Sequence, residues 1–253
     1  MSCLKPIYWS LPFPQPLYRL NWKKFNHPLN DKIIFSAVKG VVPESMLIVG
    51  EHLNQKFNTP LEKIGVITGP SHAEEIAMER LSYLTIASEE NKLARTMAAM
   101  LKTKYIRATI SNDIMGTEYA SMLKNIYAIA SGIAMALGYG DNFQSVLMSN
   151  AIREMKRFIK DVYKMKCNIN NSSYLEDLLV TGYSVFSRNR SFGRMIGKGY
   201  SVKAAQMEMK MVAEGYYANQ LAKMINQKYS TRVPFIEAVF NILYLGKKPL
   251  ESL

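Results

Sequence analysis

The chain has 253 residues and a net charge of +12, with 48% hydrophobic and 21% charged residues, which fits one large globular domain or two modest ones. Two cysteines (Cys3, Cys167) argue against a disulfide framework or a cysteine-based metal centre, and three histidines (His27, His52, His72) show no ligand spacing, so no metal site is expected. No apolar run approaches the ~20 residues of a membrane span, so membrane insertion is not expected.

The first 30 residues hold Pro6, Pro12, Pro14, Pro16 and both tryptophans, and could form one irregular strand and a loop, or nothing fixed. The prolines break the uncharged stretch, which makes it a poor signal peptide and points to a cytoplasmic protein. Short β-type runs follow: Lys32 to Val38, Ile64 to Thr68, Leu81 to Ala87 and Tyr105 to Ile110. Helical patterns alternate with them, one over Pro43 to His52 and a longer one over Ser88 to Leu101, where Leu93, Met97 and Leu101 recur. Alternation of this kind predicts an α/β layer.

From Asn112 onward the pattern becomes helix after helix. Phe143, Leu147, Ala151, Met155, Phe158 and Val162 recur at helical spacing, with Asp141 or Asn142 as the expected N-cap. The expected organisation is therefore an α/β unit over 1–110 and an all-helical unit over 111–253.

The positive charge is scattered, apart from Lys23-Lys24, Lys247-Lys248 and the group Arg188, Arg190 and Arg194. Scattered charge argues against nucleic-acid binding and suits one local site for a small phosphorylated anion.

Four segments carry groups suited to chemistry. Gly116 to Leu137 is an apolar helix with a single lysine, Lys124. Burial would favour the neutral amine and ready it for proton transfer; alternatively, Lys124 snorkels to the rim of the apolar face. Asp177 and Thr181 are four apart and share one helix face. Ser187, Arg188, Asn189 and Arg190 bring hydroxyl, guanidinium and amide donors together, as a phosphate cradle requires, or Ser187 simply caps a solvated helix. The turn Thr68 to Glu75 and the strand end at Ser36 to Gly40, with Lys39, are weaker candidates. A G-x-G-x-x-G turn is missing: Gly40 is the first glycine in the sequence, and neither Gly138-Tyr-Gly140 nor Gly197-Lys-Gly199 continues the motif.

Six motifs in order, SAVKG (36–40), GPSHAEE (69–75), GTEYASMLKNIYAIASGIAMALGYGDN (116–142), DLLVT (177–181), SRNRSFG (187–193) and VAEGYY (212–217), resemble the NAD(P)-dependent glycerol-3-phosphate dehydrogenase family from about Asp31 to Gly246. The resemblance implies a Rossmann-type domain, here partial, followed by a helical substrate domain, with the active site between them. It implies reversible reduction of dihydroxyacetone phosphate to sn-glycerol 3-phosphate, supplying phospholipid synthesis, with NAD or NADP as cofactor. Lys124 would be the general acid/base, and Lys39 would contact both substrate and nicotinamide. Gly69, Ser71, Asp177, Ser187, Arg188 and Asn189 would contact the substrate, with Thr181 beside them. Ala73, Arg188, Val212 and Glu214 would touch the dinucleotide. A homodimer is compatible with the family and is not readable from the residues. The departure lies at the front, where the family's glycine-rich turn has no counterpart; the sequence reads as a shortened member with an exposed sheet edge. That departure favours a rival reading, an inactive remnant that binds phosphorylated substrate or a partner. Little cofactor affinity and little activity are expected of these residues alone.

Overall fold

The computed structural model describes residues 8–10, 29–42, 44–164, 168–209 and 213–253. Val212, both cysteines, His27 and most of the proline-rich start lie outside them.

In chain order the first part comprises β1 (Tyr8–Ser10), β2 (Ile34–Ser36), β3 (Val41–Val42), β4 (Leu47–Ile48), α1 (Val49–Phe57), β5 (Ile64–Thr68), α2 (Ala73–Ala77), β6 (Ser82–Ser88), α3 (Asn91–Leu101) and β7 (Ile106–Ser111). Five strands form one sheet in the order β1-β2-β5-β6-β7. Every residue of β5 is buried, as expected of a continuous apolar run in a sheet covered on both faces. The β5–β6 pair is antiparallel, with Gly65 opposite Ser88, and the other neighbours run parallel. The backbone of Tyr8–Ser10 pairs with Ile34–Ser36, so β2 is not itself the edge; β1 and β7 are.

The helix expected over Pro43 to His52 is corrected. Val41 and Val42 pair antiparallel with Ile48 and Leu47, and the helix starts only at Val49. Pairing buries Val41, Val42 and Ile48 and half-buries Leu47, side chains that a helix would have divided between core and solvent. The first N–H groups of α1 lack a local side-chain cap, and helix N-termini need acceptors. The buried carboxylate of Glu118 supplies them, accepting from the Gly50 N–H with its two oxygens at 3.2 and 3.0 Å.

The second part is helical: α4 (Ile114–Ala136), α5 (Asp141–Tyr163), α6 (Leu175–Tyr183), α7 (Arg188–Gly197), α8 (Val202–Glu208), α9 (Glu214–Tyr229), α10 (Pro234–Leu245) and α11 (Pro249–Ser252). Asp113 caps α4, its Oδ1 accepting from the Gly116 N–H at 2.9 Å. Every residue from Ile114 to Ala134 is buried, so α4 is the axis around which α5, α6, α7, α9 and α10 pack. A helix hydrophobic all round belongs in such a place. The expected cap of α5 is also corrected. Gly140 occupies the N-cap and Asp141 the first helical position, where its charge still faces the positive helix end.

The crossing of α4 and α7 is unusually close. A Cβ on Gly193 would lie 2.1 Å from the Ile129 carbonyl oxygen, and one on Gly132 would lie 2.1 Å from the Arg190 carbonyl oxygen. Only glycine permits backbones to approach this far. The consequence is positional: the start of α7, with its cluster of donors, is held against the middle of α4.

Candidate active site

Lys124 projects from the middle of α4 and is almost fully buried. Its Nζ lies 2.5 Å from Oδ1 of Asp177 on α6, and both side chains are inaccessible to solvent. Lys124 therefore does not snorkel. An apolar helix tolerates a lysine when a buried carboxylate partners it. Burial pulls the Lys124 ammonium down to about 7, opposed by Asp177 and assisted by nearby Lys39. Burial pushes Asp177 up, but Lys124 and Lys39 outweigh it and hold the carboxyl below its ordinary range. Its second oxygen, Oδ2, is buried with no hydrogen-bond partner among the described residues.

Lys39 reaches the same place from the loop after β2. Its Nζ donates to the Gly69 carbonyl at 2.8 Å and lies 3.3 Å from Ser71 Oγ. The Ser71 hydroxyl donates to the same carbonyl at 3.0 Å. The turn that makes this possible requires glycine: Gly69 has φ +105°, and a Cβ there would lie 2.7 Å from the Tyr83 carbonyl oxygen. Asn125, next to Lys124, donates to the Lys39 carbonyl at 3.1 Å and so ties the sheet loop to α4. This residue was not singled out in the sequence; an amide after a lone lysine gives no signal of its own.

The donor cluster before α7 divides into roles. Ser187 is buried and caps α7, accepting from the Arg190 N–H at 3.3 Å, which leaves its own proton to donate. Ser187 is thus the helix cap, its own hydroxyl buried while Val185, Phe186 and Arg188 beside it are exposed. Arg188 is exposed at the first position of the helix. Asn189 is buried and already engaged, donating to Asn125 Oδ1 at 3.0 Å and accepting from the Gly215 N–H at 2.8 Å. It braces α4 against α9. Thr181 is buried one turn past Asp177 and donates to the Asp177 carbonyl at 2.6 Å.

Of the expected dinucleotide contacts, Glu214 begins α9, where burial raises its carboxyl to about 7 despite the charge of Arg188. Ala73 is exposed at the start of α2. Val212 is outside the described residues. Among the described residues no turn offers the glycine-rich backbone a pyrophosphate needs. Among the described residues no group of three His, Cys, Asp or Glu could hold a metal ion. No described helix is long and apolar enough to cross a membrane.

A mixed sheet leading into a helical domain, with a lysine–aspartate pair buried at their junction, defines the class. Residues 12–94 match the family model for the NAD-dependent glycerol-3-phosphate dehydrogenase N-terminus, and residues 113–253 that for the C-terminus. The chain is 34% identical over 217 residues to a glycerol-3-phosphate dehydrogenase (NAD(P)+) of Bacillus velezensis, covering 85% of this chain and 63% of that one. A relative of the same description in Macrococcus caseolyticus is 31% identical, with 92% and 71% covered. The solved structure of glycerol-3-phosphate dehydrogenase from Coxiella burnetii superposes with a TM-score of 0.81 at 28% identity, covering 87% of this chain and 66% of that one. The chain belongs to the NAD-dependent glycerol-3-phosphate dehydrogenase family, and it spans just under two thirds of the Bacillus velezensis relative.

Proposed function

We propose that this chain carries the substrate-binding and acid/base half of an NAD(P)-dependent glycerol-3-phosphate dehydrogenase, interconverting dihydroxyacetone phosphate and sn-glycerol 3-phosphate. The observation that carries the reading is the Lys124–Asp177 pair at 2.5 Å, buried beside Lys39 and Ser71. An amine held near neutrality can give up and take back a proton at working pH. On reduction Lys124 protonates the oxygen at C2; on oxidation it accepts the hydroxyl proton. Asp177 orients the amine, and Lys39 adds positive charge where an alkoxide would develop. The nicotinamide, when bound, supplies the hydride. Ser187 and Arg188 would hold the phosphate, with Asn189 bracing the start of α7; Lys39, Ala73, Arg188 and Glu214 would contact the dinucleotide. The second reading, a binding remnant without turnover, is favoured by the absence of a G-x-G-x-x-G turn from these 253 residues.

Calorimetry with glycerol 3-phosphate tests the shared part of both readings. Saturable binding is expected. Arg188→Ala should weaken it about tenfold to 150-fold, the equivalent of one charge-assisted contact at ~1.5–3 kcal/mol. Arg188→Lys should not restore it, because a point charge lacks the forked donors. Equal affinity in wild type and Arg188→Ala removes Arg188 from the site, and no binding at all removes the function.

A further inference from the structure

Between Ser71 and Ala73 stands His72, which reads in the sequence as a polar loop residue and has no part in the mechanism above. The structure treats it differently. It is the N-cap of α2, yet its side chain makes no cap hydrogen bond. Its ring packs instead on Phe186, with centroids 6.2 Å apart. Phe186 immediately precedes Ser187 and Arg188, so the imidazole bridges the turn that holds Ser71 and the segment that opens α7. Its Nε2 is buried and has no hydrogen-bond partner among the described residues. A buried polar atom without a partner carries a cost, which a hydrogen-bonding group on a bound molecule would remove. The unpartnered Oδ2 of Asp177 belongs to the same charged group.

The charges around the ring fix what ligand would complete it. Burial disfavours the imidazolium, and the cations Lys124 on α4 and Lys39 after β2 disfavour it further. Asp177 on α6 and Glu74 on α2 act the other way and do not prevail. The free site therefore holds His72 neutral. A doubly charged phosphate monoester bound beside the ring would favour the imidazolium, which presents a donor at Nε2 whichever nitrogen carried the proton before.

We infer that His72 is a positioning residue of the substrate pocket, whose ring takes up one proton from solvent as a phosphorylated substrate enters and then donates a hydrogen bond to it from Nε2. The inference rests on the proposed glycerol-3-phosphate reading and adds a proton to its binding step.

The test uses the whole chain with glycerol 3-phosphate as probe. Nuclear magnetic resonance follows the His72 ring across pH, assigned by its loss in His72→Gln. The titration midpoint should lie below the ordinary ~6.5 in the free protein and rise above it in the complex. In calorimetry at pH 6.5 with two buffers of different ionisation heat, wild type should show net proton uptake on binding. His72→Gln and His72→Phe should take up clearly less than wild type, the remainder belonging to Lys124. His72→Phe keeps a ring against Phe186, so loss of uptake in that variant cannot come from lost packing. An unmoved midpoint in wild type that binds the probe, or undiminished uptake in the variants, overturns the inference and leaves the proposed function standing. Failure of wild type to bind the probe overturns both.

Discussion

Lys124 is the residue whose environment decides the chemistry, and its pH dependence is the sharpest consequence. With its ammonium near 7 rather than 10.5, both protonation states are populated at working pH. Reduction of dihydroxyacetone phosphate needs the protonated amine, so its rate should fall as pH rises through about 7. Oxidation of glycerol 3-phosphate needs the neutral amine and should rise over the same interval. Paired pH–rate profiles measured with cofactor bound should show these opposite limbs; limbs of one sign would take the proton transfer away from Lys124. The sequence presented Lys124 as a lone charge in an apolar helix and could not decide between burial and the rim. The deciding fact is Asp177, far along the chain, and pairing at that distance is a property of the fold. Asn125 and His72 were illegible for a similar reason. A single amide or imidazole gains meaning only from what surrounds it, here the Lys39 carbonyl and the Phe186 ring.

Elements were legible where local pattern and tertiary demand agreed. Strand β5 lies where its apolar run places it, and β6, β7 and α3 sit within a few residues of their expected positions. The hairpin β3–β4 was missed because four apolar residues around a turn also fit a helical face, and only pairing distinguishes them. The α4–α7 crossing was invisible too, although its glycines stand in the sequence, because nothing local says which backbone each will meet. That crossing makes its own prediction. Gly193→Ala sets a methyl 2.1 Å from the Ile129 carbonyl oxygen, so the helices must part. Overpacking of this kind costs ~1–3 kcal/mol. Denaturant unfolding should show that loss, and glycerol 3-phosphate affinity should drop with it, since Ser187, Arg188 and Asn189 move with α7. Wild-type stability in Gly193→Ala would mean that the crossing is looser than described.

At the scale of the molecule, turnover needs the phosphate held, Lys124 at the carbonyl oxygen and a nicotinamide against C2. On the proposed reading the described residues provide the first two. Within the 253 residues no G-x-G-x-x-G turn serves the third, so these residues alone should bind NAD(H) or NADP(H) weakly and turn over little. A fusion that places a glycine-rich βαβ unit ahead of residue 31 would supply it. The most direct measurement follows nicotinamide absorbance with dihydroxyacetone phosphate in that fusion, with and without Lys124→Ala. The account predicts turnover on the order of 10 s⁻¹ and a loss of roughly 10²–10⁴-fold in the variant, with glycerol 3-phosphate affinity largely kept. A Lys124→Ala fusion that turns over close to its parent would contradict it.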